Sequence, residues 1–256
     1  MPTIIDQQDL EAKVKEMYRR VAQEPQGAFH FEMGRALAER LGYASADLDR
    51  IPAEAVDSFA GVGYHFGLAG LNEGERVLDL GSGSGMDTFI AALMVGPGGA
   101  VVGIDMTDAQ RAKAALLSRQ VGFANVSYVK GYLDALPFDD ASFDVVISNG
   151  VINLCADKEK AFREAARILK PGGRLALSDI VTEVQLPDGI VCNVTLWAAC
   201  IGGAMQQDNY RAVIEMAGLH VEQTQENPQY LFLSKNARGA SAQYGVKSMS
   251  LLARKA

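Results

Sequence analysis

The chain has 256 residues, of which 48% are hydrophobic and 21% charged. This composition is typical of a soluble globular protein with a sizeable core and excludes extensive disorder. The net charge of −7, with lysines and arginines scattered along the chain, argues against a nucleic-acid partner, because such a partner requires a local basic stripe. The three cysteines, Cys155, Cys192 and Cys200, are too few for a disulfide framework and indicate reduced thiols in a cytoplasmic protein.

Two parts of the sequence bear on where the protein is located: the N-terminus and the longest apolar run. The first 20 residues carry acidic side chains where a signal peptide would be basic, so we expect no export signal. The run at residues 88–105 is interrupted by Pro97 and nearby glycines, so we expect no membrane span. A cytoplasmic protein without a membrane partner is the expectation.

The N-terminal part is predicted to be helical at first and then rich in loops. Residues 8–40 are predicted to form a helix, because Val14, Met17 and Val21 recur at helical spacing. Residues 42–74 are loop-rich, and the stretch "FAGVGYHFGLAGL" places four glycines among aromatic residues. We expect residues 1–74 to form an extension that covers part of a ligand site.

From residue 75 onward, short apolar runs alternate with helical segments. The predicted strands are "RVLDL", "AVVGID", "VSYVKG", "FDVVISNG" and "RLALSDIV". The predicted helices lie around residues 86–95 and in "DAQRAKAALLSRQVG" and "DKEKAFREAARILK", the last ended by the turn Pro171, Gly172, Gly173. Buried strands that alternate with helices indicate a parallel sheet covered on both faces.

The last third follows a different pattern, with one helix, "DNYRAVIEMAGL", and two further strands, "HVEQTQ" and "YGVKSMSLLARK". This order favours an antiparallel pair at one edge of the sheet. The predicted fold is therefore a doubly wound, Rossmann-like α/β domain over residues 75–256, with a mostly parallel seven-stranded sheet and an antiparallel edge strand.

The stretch "DLGSGSGMDT", residues 79–88, follows the first strand. In an open parallel sheet, ligands bind beyond the carboxyl ends of the strands, and glycines there let a ligand approach the backbone closely. The spacing of Gly81, Gly83 and Gly85 places Met86 where the dinucleotide fingerprint has its last glycine, which counts against NAD. Asp105, at the end of the second strand, could accept ribose hydroxyls beside Met106, or could merely cap the next helix.

The segments "VLDLGSGSG", "VVGIDMT", "GYLDALPFDDASFDVVIS" and "ILKPGGRL" resemble the successive motifs of class I S-adenosylmethionine-dependent methyltransferases. The resemblance implies that S-adenosylmethionine is the cofactor. It implies that Asp79, Gly81 and Gly83 hold the methionine part, that Asp105 holds the ribose, that Leu133 and Asp134 meet the adenine edge, and that Ser148 and Asn149 form the floor near the sulfonium. The implied reaction is an in-line methyl transfer, which needs alignment and exclusion of water more than a catalytic base.

A narrower resemblance links "SNGVINLCADK", "LPDGIVCNVTLWAACIGGAM" and "FAGVGYHF" to arsenite methyltransferases. That family captures arsenic(III) with cysteines from three such segments, since soft thiolates select soft centres. Only Cys200 matches, because Val62 and Gly150 stand at the other two positions. Cys192 would lie roughly 12 Å from Cys200 along a helix, too far to share one ion. We therefore predict no bound metal and a small organic acceptor, with arsenite methylation or silent cofactor binding as alternatives.

The remaining candidates surround the predicted acceptor site, which we expect to be closed by a lid at residues 182–206. His65 is a candidate base for a protic acceptor, or else a locally hydrogen-bonded histidine. Cys200 is a candidate site residue or part of the pocket wall, and Tyr18 either closes over the methionine end or packs in a helix. Cys155 and Cys192 are predicted to be small buried residues. The expected acceptor pocket comprises Val62, Tyr64, Gly150, Asn153 and Trp197; the oligomeric state is not predicted.

Overall fold

A computed structural model describes residues 6–191 and 202–256. Five helices precede the sheet: α1 (Gln7–Gln23), α2 (Arg35–Leu41), α3 (Ser45–Leu48), α4 (Ala53–Asp57) and α5 (Phe66–Ala69). The first half of the sheet domain consists of β1 (Arg76–Leu80), α6 (Met86–Val95), β2 (Ala100–Asp105), α7 (Asp108–Val121), β3 (Val126–Lys130) and β4 (Phe143–Asn149). A 3₁₀ turn at Ile152–Leu154 follows β4.

The second half continues with α8 (Lys158–Ile168), β5 (Leu169–Thr182), α9 (Asp188–Val191), β6 (Met205–Gln206), α10 (Gln207–Met216), β7 (Leu219–Glu226), α11 (Lys235–Tyr244) and β8 (Lys247–Lys255). The strands form one sheet in the order β3-β2-β1-β4-β5-β8-β7, and the two-residue β6 pairs with β5. Strand β8 runs antiparallel to both of its neighbours, whereas β1 to β5 are mutually parallel. The predicted α/β fold with a mostly parallel sheet and an antiparallel pair at one end is confirmed.

Alternation along the central strands creates two hydrophobic cores, one on each face of the sheet. In β1, Val77 packs in the core with α6, whereas Leu78 packs in the core with α8. The same alternation in β4 separates Val145 from Val146. Because both faces are covered, the strands are buried almost continuously, as their apolar sequences predict. This arrangement leaves the carboxyl ends of the strands as the place for a ligand.

The prediction of one helix over residues 8–40 is wrong. Helix α1 ends at Gln23, and α2 begins only at Arg35, after Gly34 with a φ of +83°. Pro25 lacks a backbone N–H and cannot continue a helix, and a positive φ at Gly34 is incompatible with helical backbone. The helical spacing of the apolar residues did not reveal this break.

Helix α1 is anchored to α7 at the carboxyl side of the sheet. The Gln110 amide donates to the Tyr18 carbonyl at 3.0 Å, and the Lys113 ammonium donates to the Ala22 carbonyl at 3.0 Å. The same ammonium donates to the Ser58 hydroxyl at 2.8 Å, which adds the α4 region to this junction. Within the described ranges, none of the helices is long and apolar enough to cross a membrane.

His65 immediately precedes α5 and is completely buried. Its ring stacks on Phe66, with 4.5 Å between the ring centroids. Among the described residues neither ring nitrogen has a hydrogen-bond partner. Burial without a counter-charge disfavours the imidazolium and lowers the pKa of His65 to about 3.

Replacing His65 with leucine is expected to flatten the pH dependence of stability. Between about pH 3 and pH 6.5 the unfolded chain binds a proton at this histidine and the folded chain does not, so stability falls as the pH drops through this window. Between pH 7 and pH 5 the loss amounts to about 2 kcal/mol in the free energy of unfolding. Urea unfolding of the wild type and His65→Leu at the two pH values measures it.

The control is His220→Gln, which removes an exposed histidine on β7 and retains His65, so the pH dependence that comes from His65 should remain. An unchanged pH dependence in His65→Leu would contradict the buried, uncharged state of this histidine.

Candidate active site

A cavity of about 250 Å³ lies at the carboxyl ends of β1, β2 and β4. Side chains of α1, including Val14 and Tyr18, form one wall, and the glycine-rich turn after β1 forms another. Residues 132–134 and 154–157 contribute to the rim. This is the position that the doubly wound topology assigns to a ligand.

The glycine-rich turn beside this cavity depends on positions where only glycine fits. Gly81, Gly83 and Gly85 have φ values of +67°, +54° and +96°. A Cβ atom on Gly81 would lie 2.4 Å from Cγ2 of Val151, and one on Gly85 would lie 2.3 Å from the Tyr128 hydroxyl oxygen. Both the backbone conformation and the close packing therefore require glycine at these two positions.

Asp105 joins the glycine turn to the end of β2. Its carboxylate accepts hydrogen bonds from the backbone N–H of Gly83 at 3.0 Å and of Thr107 at 2.7 Å. The carboxylate lines the cavity, where the ribose is predicted to bind. It does not cap α7, because the N-cap residue is Thr107 and Asp105 accepts from the N–H of Thr107 and not from the N–H groups of the first turn. Burial raises the pKa of Asp105 against the effect of these two hydrogen bonds.

Two further carboxylates are buried at the glycine turn. Asp79 accepts a hydrogen bond from the Thr88 hydroxyl at 2.6 Å, and Asp87 accepts one from the Tyr43 hydroxyl at 2.7 Å. Burial raises the pKa of Asp79, with the neighbouring Asp87 adding to the effect, and raises the pKa of Asp87 to about 6. Both side chains line the cavity.

Sequence reasoning missed Asp87 and Tyr43. A signal existed for Asp87, since it is the only charged residue in the apolar helix "MDTFIAALMV" and such a position needs an explanation. Tyr43 carries no comparable signal, because it lies in the N-terminal extension, 44 residues from its partner along the chain. Only the folding of that extension onto the sheet brings the two together.

Asn149, at the end of β4, connects the buried carboxylate to the loop before α5. Its amide nitrogen donates to Asp87 at 3.0 Å, and its amide oxygen accepts from the backbone N–H of Val62 at 2.8 Å and of Gly63 at 3.3 Å. The hydroxyl of Ser248 donates to the Val62 carbonyl at 2.6 Å from the opposite side. The loop that contains Val62 and Gly63 is thus fixed by side chains that bond to its backbone groups.

Nine of the ten residues predicted to contact the cofactor lie together in the cavity wall: Tyr18, Asp79, Gly81, Gly83, Asp105, Met106, Leu133, Asp134 and Asn149. Asp134 also forms an ion pair with Lys160 at 3.4 Å. The tenth, Ser148, is buried beneath the wall, and its hydroxyl donates to the Leu80 carbonyl at 3.4 Å. Ser148 points to the opposite face of β4 from Asn149, as successive strand residues must.

The predicted acceptor residues occupy several places. Val62 and Gly150 contact each other, since a Cβ on Gly150 would lie 3.2 Å from Cγ1 of Val62, but neither lines the cavity formed by the described residues. Tyr64 packs against Tyr43, with 4.9 Å between ring centroids. Asn153 is buried in the 3₁₀ turn, where its backbone N–H donates to Asp179 at 2.9 Å.

The structure describes only one of the two predicted catalytic residues, His65 and not Cys200. His65 lies in the core and not in the cavity wall, so its expected role as a base has no geometric support; its loop packs it beside Phe66. Cys200 lies outside the described residues, as do Trp197 and Cys192. Cys155 does line the cavity, and burial raises the pKa of its thiol to about 12. Residues 6–191 and 202–256 contain no cluster of three side chains able to hold a metal ion.

Comparison with known proteins gives a consistent family. Residues 71–218 match a family described as a methyltransferase domain. The arsenite methyltransferase of Halobacterium salinarum is 40% identical over 181 residues, covering 71% of this chain and 46% of the relative. The ubiquinone/menaquinone biosynthesis C-methyltransferase of Pasteurella multocida is 35% identical over 161 residues, covering 60% of each chain. The chain thus spans about half the length of the curated arsenite methyltransferase that it matches.

Among solved structures, the arsenic(III) S-adenosylmethionine methyltransferase of Chlamydomonas reinhardtii is similar to this chain with a TM-score of 0.63 and 28% identity. The similarity covers 87% of this chain and 74% of that one. The matched domain contains the glycine turn, Asp105 and Asn149, which are the parts of the cavity described above. The chain belongs to the class I S-adenosylmethionine-dependent methyltransferases, close to the arsenite methyltransferase family.

Proposed function

We propose that this chain transfers a methyl group from S-adenosylmethionine to a small organic acceptor. The cofactor, when bound, supplies a methyl group on positively charged sulfur. The protein contributes a site that binds the donor, orients it and keeps water away, which is sufficient for an in-line transfer. A cavity lined by three carboxylates, of which Asp79 and Asp87 are buried and Asp105 is partly buried, suits a donor that carries positive charge.

In this proposal each wall of the cavity has a separate task. Asp105 accepts the ribose hydroxyls, and Met106 and Leu133 enclose the adenine. The glycine turn and Asp79 hold the amino-acid end. Helix α1, fixed to α7 by Gln110, excludes water from the donor.

The observation that carries the choice of acceptor is the contact between Val62 and Gly150. By the sequence resemblance, these residues match two of the three positions at which arsenite methyltransferases have arsenic-binding cysteines, and they contact each other without a sulfur atom. An apolar contact at this point favours an organic molecule over a thiophilic ion. The similarity to a quinone-pathway C-methyltransferase supports an organic acceptor independently.

Arsenite methylation is the second candidate, favoured by the 40% identity to an arsenite methyltransferase. Cys155 lines the cavity, but burial raises the pKa of its thiol to about 12, so the thiolate that binds arsenic(III) is disfavoured.

The first test separates these candidates directly. The purified chain is incubated with labelled S-adenosylmethionine and glutathione, with arsenite in one arm and a panel of phenols, quinols and amines in the other. We expect label in an organic product and no methylated arsenical. Multiple turnovers of arsenite would contradict the proposed acceptor class.

The second test restores the missing thiols. In Val62→Cys/Gly150→Cys, two sulfurs are introduced at positions already in contact, so we expect arsenite affinity to rise at least tenfold, because thiolates bind this soft centre. Bound arsenic per chain after desalting measures the gain. The φ of +71° at Gly150 strains any side chain, by about 1 kcal/mol.

Val62→Ser/Gly150→Ser is the matched control, because it imposes similar backbone strain and volume without thiols. Equal arsenic retention by the two double variants would show that these positions do not form a thiol site.

The third test concerns the glycine turn. Gly81→Ala is expected to weaken S-adenosylhomocysteine binding at least tenfold, because its Cβ would lie 2.4 Å from a methyl of Val151 at a φ of +67°. Calorimetric titration measures the affinity. Gly81→Ala/Val151→Ala removes the clash but not the backbone strain, and it should recover part of the loss. Wild-type affinity in Gly81→Ala would contradict the assignment of this turn.

A further inference from the structure

Asp87 occupies the first turn of α6 with its carboxylate held from two other parts of the chain. The Tyr43 hydroxyl donates to Oδ1 at 2.7 Å, and the Asn149 amide donates to Oδ2 at 3.0 Å. Only 6% of the residue is exposed, yet it lines the cavity. A carboxylate fixed in this way presents its negative charge in one direction and cannot rotate freely.

No cation compensates this charge in the described part of the chain. Neither Asp87 nor its neighbour Asp79 forms an ion pair, and the cavity wall formed by the described residues contains no lysine, arginine or histidine. The sequence adds that residues 1–5 and 192–201 contain none of these side chains. Burying carboxylates without a partner costs free energy and raises their pKa, and groups perturbed in this way cluster at functional sites, where a cationic ligand can supply the opposite charge.

We propose that Asp87 and Asp79 together bind the α-ammonium group of the cofactor. The inference rests on the cofactor of the proposed function and extends it, since Asp87 acquires a role in binding and the binding becomes proton-linked. Tyr43 and Asn149 are positioning residues that aim the carboxylate.

The sign of the pH dependence follows from the groups that face Asp87. These are Tyr43, Tyr64 and Asn149, which are uncharged, and Asp79, whose own pKa is raised by burial and by the charge of Asp87. The pKa of Asp87 near 6 means that the free protein is protonated there below pH 6. An ammonium favours the ionised form, so binding releases a proton and weakens as the pH falls. Between pH 7 and pH 5 the affinity should decrease about tenfold through Asp87.

The experiment compares two ligands that differ in the amino-acid part. S-adenosylhomocysteine carries the ammonium, and 5′-methylthioadenosine lacks the whole amino-acid group. Calorimetry gives both dissociation constants at pH 7 and pH 5, where an α-amino group stays protonated. We use the ratio of the affinity for S-adenosylhomocysteine to the affinity for 5′-methylthioadenosine. This ratio cancels contributions from Asp105, which faces the part that the two ligands share. In the wild type we expect this ratio to fall about tenfold from pH 7 to pH 5, with proton release in buffers of different ionisation enthalpy.

Asp87→Asn should lower the ratio at least tenfold at pH 7 and reduce its dependence on pH, while 5′-methylthioadenosine still binds as in the wild type and so reports an intact fold. Tyr43→Phe removes a donor that stabilises the ionised carboxylate, so the ratio should begin to fall at a higher pH. Asp105→Asn is the control and should weaken the binding of both ligands alike.

If neither ligand binds the wild type, the proposed function fails as well. If both bind and Asp87→Asn changes them equally or not at all, this inference alone is overturned.

Discussion

The placement of three carboxylates beside the glycine turn, two of them buried and the third partly buried, is the constraint on which this site depends. Asp79, Asp87 and Asp105 lie at the ends of β1 and β2 and the start of α6, where the sheet and its helices exclude water. Each accepts hydrogen bonds that partly replace that water. Three carboxyl groups at this position make a cavity that favours a positively charged ligand over a neutral or negative one, and this preference agrees with a sulfonium cofactor.

The N-terminal extension and the sheet cooperate to build this environment. Tyr43 reaches Asp87 from the extension, and the loop containing Val62 is fixed through Asn149. Helix α1 completes the wall through its bond to Gln110. Residues that precede the sheet in sequence therefore help to form the site. In the proposed reaction this cooperation aligns the donor with the acceptor and keeps both dry.

The strands of the sheet could be predicted from the sequence because each strand is specified by a short, contiguous run of residues. Apolar runs bounded by glycine specified β1 to β5, and the glycine turn with Asp105 specified the ligand position, since the carboxyl ends of parallel strands converge. The extension was harder, because its contacts are distant in sequence. The break at Pro25 was overlooked in favour of periodicity, and His65 was read as a candidate base although its loop buries it fully.

The least predictable features were those that depend on the direction of a side chain. Ser148 and Asn149 were expected together in the cavity floor, but adjacent strand residues face opposite sides, and only Asn149 reaches the cavity. Val62 and Gly150 were assigned to the acceptor pocket by resemblance; they contact each other, outside the described cavity wall. Asp87 lies in the apolar helix after the glycine motif, and the motif itself does not indicate a role for that position.

A crystal structure with S-adenosylhomocysteine tests the central claim most directly. The account predicts the sugar hydroxyls on the Asp105 carboxylate, with the amino-acid end between the glycine turn and the Asp79–Asp87 pair. Density for the ligand elsewhere, or an amino group turned away from both buried aspartates, would contradict it.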